Sequence, residues 1–268
     1  MKDQIVELYR TAACVIPQDI EDALKIAEMS EEGTAKGILS AILHNVQLGK
    51  EKRPICQDTG NPLFWVQRPR DVSEEEIRSA IVEATKAATE DIPLRPNSVD
   101  ILSGKNVGNS PVIHFSEGDK LKIDLMLKGG GSENITQLYS LPNISLKAER
   151  SLEGVRKCVL EAVFKAQGKG CPPYVVGVGL SGLADDALRI AKEQLLRTLL
   201  DSNRDLALNH LEKQIVADSN KLGIGPLGLG GKTTVLGAKI GVSHRHPASY
   251  FVGVCFACWA LRRARMEE

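Results

Sequence analysis

Three cysteines in loop contexts, Cys56 in ICQDTGNP, Cys171 in GKGCPPY and Cys258 in FACWALRR, set the strongest constraint on what this chain can fold into. A thiolate presented from a loop can turn toward a soft metal, whereas a cysteine in an apolar stripe fills core volume. The three stand 115 and 87 residues apart, which excludes the compact spacing of a zinc finger or a ferredoxin. Any shared role therefore requires a fold that returns distant loops to one place. Three ligands also leave one position of a metal or iron–sulfur site open.

The remaining bounds are those of a globular protein that handles small molecules. With 268 residues, 43% of them hydrophobic and 25% charged, the chain can bury a real core, as one domain over residues 1–268 or as two lobes within it. Lys plus Arg balances Asp plus Glu at 34 each, so no global charge pulls the protein toward nucleic acid or an anionic membrane. The opening MKDQIVELYRTAAC is charged and amphipathic and lacks the apolar core of a secretory signal. The longest apolar run, Ser249 to Leu261, is too short to span a bilayer. Six cysteines in such a chain read as reduced thiols or metal ligands, and a cytoplasmic location is the expectation.

Periodicity predicts helices over Asp19 to Gly49 with a break at Glu32-Gly33, from Ser73 to about Glu90, and over Leu152 to Gln167, Ala184 to Leu200 and Asp205 to Lys221. Short strands are expected at Pro111 to Ser116 and Leu121 to Lys128, with Glu117-Gly118-Asp119 as the turn between them. Further strands are expected at Tyr174 to Val178 and Thr233 to Val242, with Ser249 to Leu261 a buried strand or helix. Helices outnumber strands and the strands fall in separated groups. The fold class is α+β (mixed), a helix-rich domain with a small sheet and cluster-binding loops.

Each candidate site has a plainer reading beside it. Cys56 fits a turn in which Asp58 and Thr59 make local hydrogen bonds, yet a carboxylate two residues from a metal ligand is also placed to act as acid or base on a bound substrate. Pro172 and Pro173 make a stiff corner beside Cys171. Cys255 and Cys258 form a C-x-x-C downstream of His244 and His246, which permits a structural zinc site, against the spacing. A redox role for the C-x-x-C lacks the thioredoxin-like setting. The loop from Gly225 to Thr233 imitates a phosphate loop but has Pro226 where the first glycine belongs, and β-branched residues follow it. Gly129-Gly130-Gly131-Ser132-Glu133-Asn134 can offer backbone N–H groups to a carboxylate. Arg95 in LRPNSVD suits a bidentate pair with a carboxylate, or a structural ion pair.

Six blocks in order, CQDTGNP, LRPNSVD, KGGGSEN, GCPPYVVGVG, GPLGLGGKTT and HRHPASYFVGVCFACWALRR, resemble the signature blocks of the α subunit, or N-terminal domain, of iron–sulfur class I fumarase and tartrate dehydratase. The resemblance runs from about Asp19 to Met266. It implies a [4Fe-4S] cluster held by Cys56, Cys171 and Cys258, the last chosen for its Cys-Trp-Ala context, with Cys255 as an extra core cysteine. An iron without a protein ligand would then serve as a Lewis acid toward a 2-hydroxy dicarboxylic acid. Gln57 and Asp58 would lie in the substrate pocket, with Asp58 assisting proton transfer. Arg95, Gly131 and Asn134 would grip the dicarboxylate, and His246 matches a pocket histidine.

In the fused relatives a second domain supplies further arginine and lysine contacts and the threonine that takes the C3 proton. The resemblance therefore implies a separately encoded β subunit, α–α pairing and an assembly such as α2β2. The expected activity is that of a hydro-lyase interconverting fumarate and malate, with L(+)-tartrate dehydration to oxaloacetate as the near alternative. A non-catalytic structural-metal or redox-sensing protein, and a nucleotide-binding protein, are the readings from other classes. Asp58, Arg95 and His246 argue against a sensor, which needs no dicarboxylate grip.

Overall fold

Local signals account for most of the helices. The protein is described by a computed structural model covering residues 1–267, in which the chain forms two compact units. The first comprises Met1–Gln18, Leu43–Gly130 and the stretch from Ala260. Its α1 (Lys2–Cys14) buries Ile5, Leu8, Tyr9 and Ala12, the i, i+3, i+4, i+7 rhythm of one helix face. Its sheet has the order β10-β5-β1-β4, from β1 (Asn61–Arg68), β4 (Val112–Glu117), β5 (Lys122–Lys128) and β10 (Arg262–Glu267). Ser73 starts α4 (Glu74–Asp91), and its hydroxyl accepts the Glu76 N–H as the capping pattern predicts. Phe64, Val66, Ile123, Leu125 and Leu127 point from the sheet into a core shared with Ile77, Ile81 and Ala84 of α4 and with α1. A two-stranded ribbon, β2 (Ser98–Val99) with β3 (Asn106–Gly108), stands apart from this sheet.

The two strands expected around Gly118 both form, but they are not partners. β1 lies between them, parallel to β4 and antiparallel to β5. Their turn passes over the end of β1, where the Gly118 N–H bonds to the Arg68 carbonyl at 2.9 Å. β1 escapes sequence reading because it begins Asn-Pro, and β10 because three of its first four residues are arginine, neither of which resembles a strand.

The second unit, Asp19–Ile42 with Gly131–Trp259, holds α2 (Gln18–Ser30) and the start of α3 (Gly33–Gly49), the two separated where expected. After the short α5 (Gly130–Asn134) come β6 (Gln137–Ser140), α6 (Leu152–Ala166), β7 (Tyr174–Ser181), α7 (Ala184–Gln194), α8 (Leu206–Asn220), β8 (Val235–Val242) and β9 (Phe251–Ala257). The sheet order is β6-β9-β7-β8, with β7 parallel to β8 and antiparallel to β9. Alternation sorts β7 into two faces. Tyr174, Val176, Val178 and Leu180 join α6 and α8 in the core. Gly177 and Gly179 face α7, where an added Cβ would fall 2.0 Å from the carbonyl oxygens of Ala191 and Ala187 respectively. Helix and strand thus meet backbone to backbone.

α7 stops at Gln194, six residues before the expected end. The Asp19 carboxylate captures the Leu199 N–H at 2.8 Å and the Thr198 hydroxyl at 3.2 Å, so a side chain distant in sequence replaces the next helical turn. The apolar run from Ser249 resolves into β9, a turn at Cys258 and Trp259, and the entry to β10. Among the described residues no helix is long and apolar enough to cross a membrane. The mixed architecture with small sheets is the expected class.

Close packing of α7 predicts opposite outcomes for two glycine substitutions. Gly177→Ala should lower unfolding stability by about 1–3 kcal/mol, because the intruding atom meets backbone that cannot rotate away. Gly37→Ala, inside α3 with open space around its Cβ position, should raise it by about 0.5–1 kcal/mol. Urea unfolding of the two variants beside the parent chain measures both.

Candidate functional site

The Asp58 loop is built by its own polar side chains. Asp58 Oδ1 accepts the Gly60 N–H at 3.0 Å, a local turn bond, and Oδ2 accepts the Gly130 N–H at 2.8 Å where β5 gives way to α5. Gly60 has φ +81, and a Cβ there would sit 2.7 Å from the Leu127 backbone, so only glycine lets the loop enter β1 against β5. Arg262 is 2% exposed and donates from Nη1 to the Asp58 carbonyl, gripping the same loop from beneath. Asp58 is half-buried with both carboxylate oxygens already oriented, while its neighbour Gln57 is exposed.

Arg95 is held by its main chain, and among the described residues its guanidinium head has no hydrogen-bond or ion-pair partner. The buried Thr59 hydroxyl accepts the Arg95 N–H at 3.0 Å and the Asn97 amide at 3.1 Å, and lies 3.4 Å from the Arg95 carbonyl. Asn109 donates to that carbonyl as well, and its own oxygen takes the Asn97 N–H. Backbone clamped this way aims a long side chain without consuming its charged group. The Arg95 side chain is exposed. Asp58 and Arg95, 37 residues apart, are therefore mounted on one network through Thr59. Thr59 was read from sequence only as a local turn residue, and Asn97, Asn109 and Arg262 went unassigned; Asn97 and Arg262 stand inside the RPNS and WALRR blocks, whereas Asn109 lies outside all of them.

In the second unit the antiparallel register of β7 and β9 pairs Val175 with Ala257. Cys258 follows the last residue of β9 and Cys171 lies three residues before the first of β7, so one strand pair carries both loops at one end. The Trp259 N–H donates to the Cys171 carbonyl at 3.2 Å. Cys171 is exposed, with φ +59, a left-handed backbone that costs a side-chain-bearing residue about 1–3 kcal/mol. Below it the Tyr174 hydroxyl donates to the Gln167 carbonyl at 2.7 Å and accepts the Gly170 N–H at 3.1 Å. Burial raises the Tyr174 pKa well above the ordinary tyrosine value, and the nearby Cys171 and Cys258 push it in the same direction. That hydroxyl is a neutral strut.

The six cysteines divide by setting, and all are free thiols. Cys14, Cys158 and Cys255 are buried, and burial pushes the Cys158 thiol up to about 11 and raises that of Cys14. Cys255 turns its sulfur toward the Leu188 carbonyl of α7. The three loop cysteines are the accessible ones: Cys56 on the first unit, Cys171 and Cys258 on the second. Their thiols are the soft donors an iron–sulfur group takes. Among the described residues no three His, Cys, Asp or Glu side chains are gathered as a metal-holding group. The two-histidine, two-cysteine zinc alternative fails on geometry, since Cys255 is committed to α7 while His244 and His246 are exposed.

His246 accepts the Ala248 N–H at Nδ1, 3.1 Å away, so Nε2 is the ring nitrogen available to donate to another group. Gly131 and Asn134 are exposed on α5. The phosphate-loop imitation is excluded by its own contacts. Lys232 donates to the Ser30 carbonyl and to Glu32, and the loop contains a 3-10 turn, Pro226–Gly228, followed by strand β8 instead of an α-helix.

Comparison with known proteins gives a consistent answer. The profile of the Fumarate hydratase (Fumerase) family matches residues 2–267. A Geobacillus stearothermophilus protein named as a candidate class I fumarate hydratase is 41% identical over 275 residues, 97% of this chain and 53% of that protein. A Methanocaldococcus jannaschii protein named as a candidate L(+)-tartrate dehydratase subunit alpha is also 41% identical, over 98% of this chain and 96% of its own length. The L(+)-tartrate dehydratase subunit alpha of an Escherichia coli strain is 33% identical over 94% of this chain and 85% of its own. The chain thus spans about half the length of the first of these relatives and most of the other two.

Removing the shared hydroxyl tests the Asp58–Arg95 mount. Thr59→Val keeps the side-chain volume but leaves the Arg95 N–H without its acceptor and the Asn97 amide with only the Gly60 carbonyl. Unfolding stability should fall by about 1–3 kcal/mol in denaturant titration.

Proposed function

The chain belongs to the fumarate hydratase family, and from that premise we propose that it is the α portion of an iron–sulfur hydro-lyase acting on a small dicarboxylate. The observation that carries the reading is the sorting of the cysteines. Three are sealed in cores, and the three presented from loops are those of the family blocks, two of them set side by side by β7 and β9. We assign Cys56, Cys171 and Cys258 as thiolate ligands of a [4Fe-4S] cluster. When bound, that cluster supplies a Lewis-acidic iron for the carboxylate and hydroxyl of a 2-hydroxy dicarboxylate.

The chain's own residues bind, orient and handle protons. Arg95, its backbone fixed by Thr59 and Asn109, lays its guanidinium bidentately on a substrate carboxylate. The Gly131 backbone, the Asn134 and Gln57 amides and Nε2 of His246 add hydrogen-bonding groups around the same dicarboxylate. Asp58 receives one N–H on each oxygen and keeps further lone pairs, so it holds a substrate hydroxyl and moves its proton without changing orientation. Dehydration also removes a proton from C3. That base and further cationic contacts fall to a separately encoded β subunit in this proposal, in an α2β2 assembly.

Fumarate–malate interconversion is the leading substrate reading, since the half-length match is to a protein named as a class I fumarate hydratase. L(+)-tartrate dehydration to oxaloacetate is the second. It is favoured by the near full-length match to proteins named as tartrate dehydratase alpha subunits.

Anaerobic reconstitution with iron and sulfide tests the assignment. About four irons per chain are expected, lost in Cys56→Ala, Cys171→Ala and Cys258→Ala and kept in Cys255→Ala. Zinc in place of iron, with Cys255 required, would overturn the reading. With the β partner added, malate, fumarate and L(+)-tartrate assays decide the substrate. Arg95→Lys should lower kcat/KM about 10–100-fold, because an ammonium cannot reproduce the two-pronged contact.

A further inference from the structure

The glycine-rich segment that imitates a phosphate loop has no part in the mechanism above, yet its backbone reaches the Cys171 corner. Leu227 donates its N–H to the Pro172 carbonyl at 2.8 Å. One residue on, Gly228 meets Gly168 with so little space that a Cβ on Gly228 would fall 2.4 Å from the Gly168 Cα. In the other direction, a Cβ on Gly168 would lie 2.8 Å from the Leu227 carbonyl oxygen. Both Leu227, at φ +53, and Cys171, at φ +59, occupy the left-handed region, so the two strained turns face each other across one hydrogen bond.

The segment is itself anchored. Glu31 accepts the Thr233 N–H, Lys232 reaches the Ser30 carbonyl and Glu32, and the Thr234 hydroxyl accepts the Gly225 N–H at 3.2 Å. Thr234 in turn gives its carbonyl to the Tyr174 N–H at 2.8 Å, immediately after the two prolines. A continuous chain of side-chain and backbone hydrogen bonds therefore runs from the turn after α2 to the Cys171 corner. From Cys171 it continues to the Cys258 side through the Trp259 N–H.

We propose that Gly225–Gly231 is a backbone clamp that fixes the Cys171 corner against the Cys258 turn, with Leu227, Gly228 and Gly168 as its positioning residues and Tyr174 as its inner strut. The glycines serve close approach and positive φ, the same needs that shape a phosphate loop, but the partner is the protein's own thiol-bearing turn. Without the clamp, the left-handed Cys171 loses the support that Leu227 and Gly228 give to Pro172 and Gly168 on either side of it, and the thiol pair is less well preorganised for a shared ligand. This role rests on the cluster reading for its consequence and on geometry alone for its existence.

Two readouts on the full chain separate these dependencies. The first is amide hydrogen exchange of the metal-free protein at Gly170, Leu227 and Trp259. Gly228→Ala should speed exchange at all three at least 10-fold. Gly230→Ala, with the same kind of positive φ but nothing within 4 Å of its Cβ position, should leave Gly170 and Trp259 unchanged. The second is iron retention after anaerobic reconstitution and exposure to air, where Gly228→Ala should lose iron at least 10-fold faster than the parent and Gly230→Ala at the parent rate.

Unchanged exchange at Trp259 and Gly170 in Gly228→Ala overturns the clamp. Equal loss in both variants overturns it too, since strain alone would then explain the effect. If Gly228→Ala does not fold by circular dichroism, Tyr174→Phe decides at the two amides that do not bond to the lost hydroxyl: faster exchange at both Leu227 and Trp259 supports the clamp, and parent-like exchange at either overturns it. A parent chain that takes up no iron while the exchange pattern holds defeats the cluster reading and leaves the clamp standing.

Discussion

The antiparallel register between β7 and β9 is the constraint from which the second unit's chemistry follows. With Val175 opposite Ala257, the loop that precedes one strand and the turn that follows the other emerge at the same end of the sheet. A slip by one residue would send Tyr174 and Phe256 out of the core and turn Gly177 away from α7, so register is locked by packing on both faces. The edge-to-face contact of Tyr174 with Phe256, ring centres 5.3 Å apart, reinforces that lock beside the cysteine loops. The proximity of two thiol-bearing loops is thus a consequence of core packing, and the loops themselves need only be stiff.

Stiffness is achieved differently on the two units. The first uses side chains as local scaffolding: Asp58, Thr59, Asn97 and Asn109 close hydrogen bonds onto the backbone around Asp58 and Arg95. Such networks are worth most when every member is satisfied, and Thr59 is the shared node. The second uses missing side chains. Gly177 and Gly179 admit α7, and Gly168 and Gly228 admit each other, so main chains touch where a methyl group would not fit. Polar loops can be re-aimed by one substitution, whereas backbone contacts fail all at once.

Much of this was legible in the chain. α2 to α4, α6 and α8 follow apolar periodicity and caps at Ser73 and Asp205, because those signals are local. The end of α7 was not legible, since Asp19 ends it from about 180 residues away. β1 and β10 were hidden for a related reason. A strand that starts Asn-Pro or carries Arg262, Arg263 and Arg265 is specified by its neighbours, and Arg265 is paired with Asp124 of β5. The site residues were read from their block contexts, while the residues that hold them in place became visible only through tertiary hydrogen bonds.

Two loops carry a strained residue or a buried charge that core packing does not explain. Cys171 keeps a left-handed backbone although glycine would relieve it, and Arg262 keeps a buried guanidinium whose Nε has no hydrogen-bond partner among the described residues. A core optimised for stability alone would relieve both, since each costs free energy that neighbouring packing must offset. Arg262 anchors the Asp58 carbonyl and Cys171 anchors the Trp259 N–H, so each unfavourable group fixes a loop whose side chains face outward. Stability has been exchanged for position at these two loops. The apolar interiors around them, which include Ile77 and Val176, are fully buried.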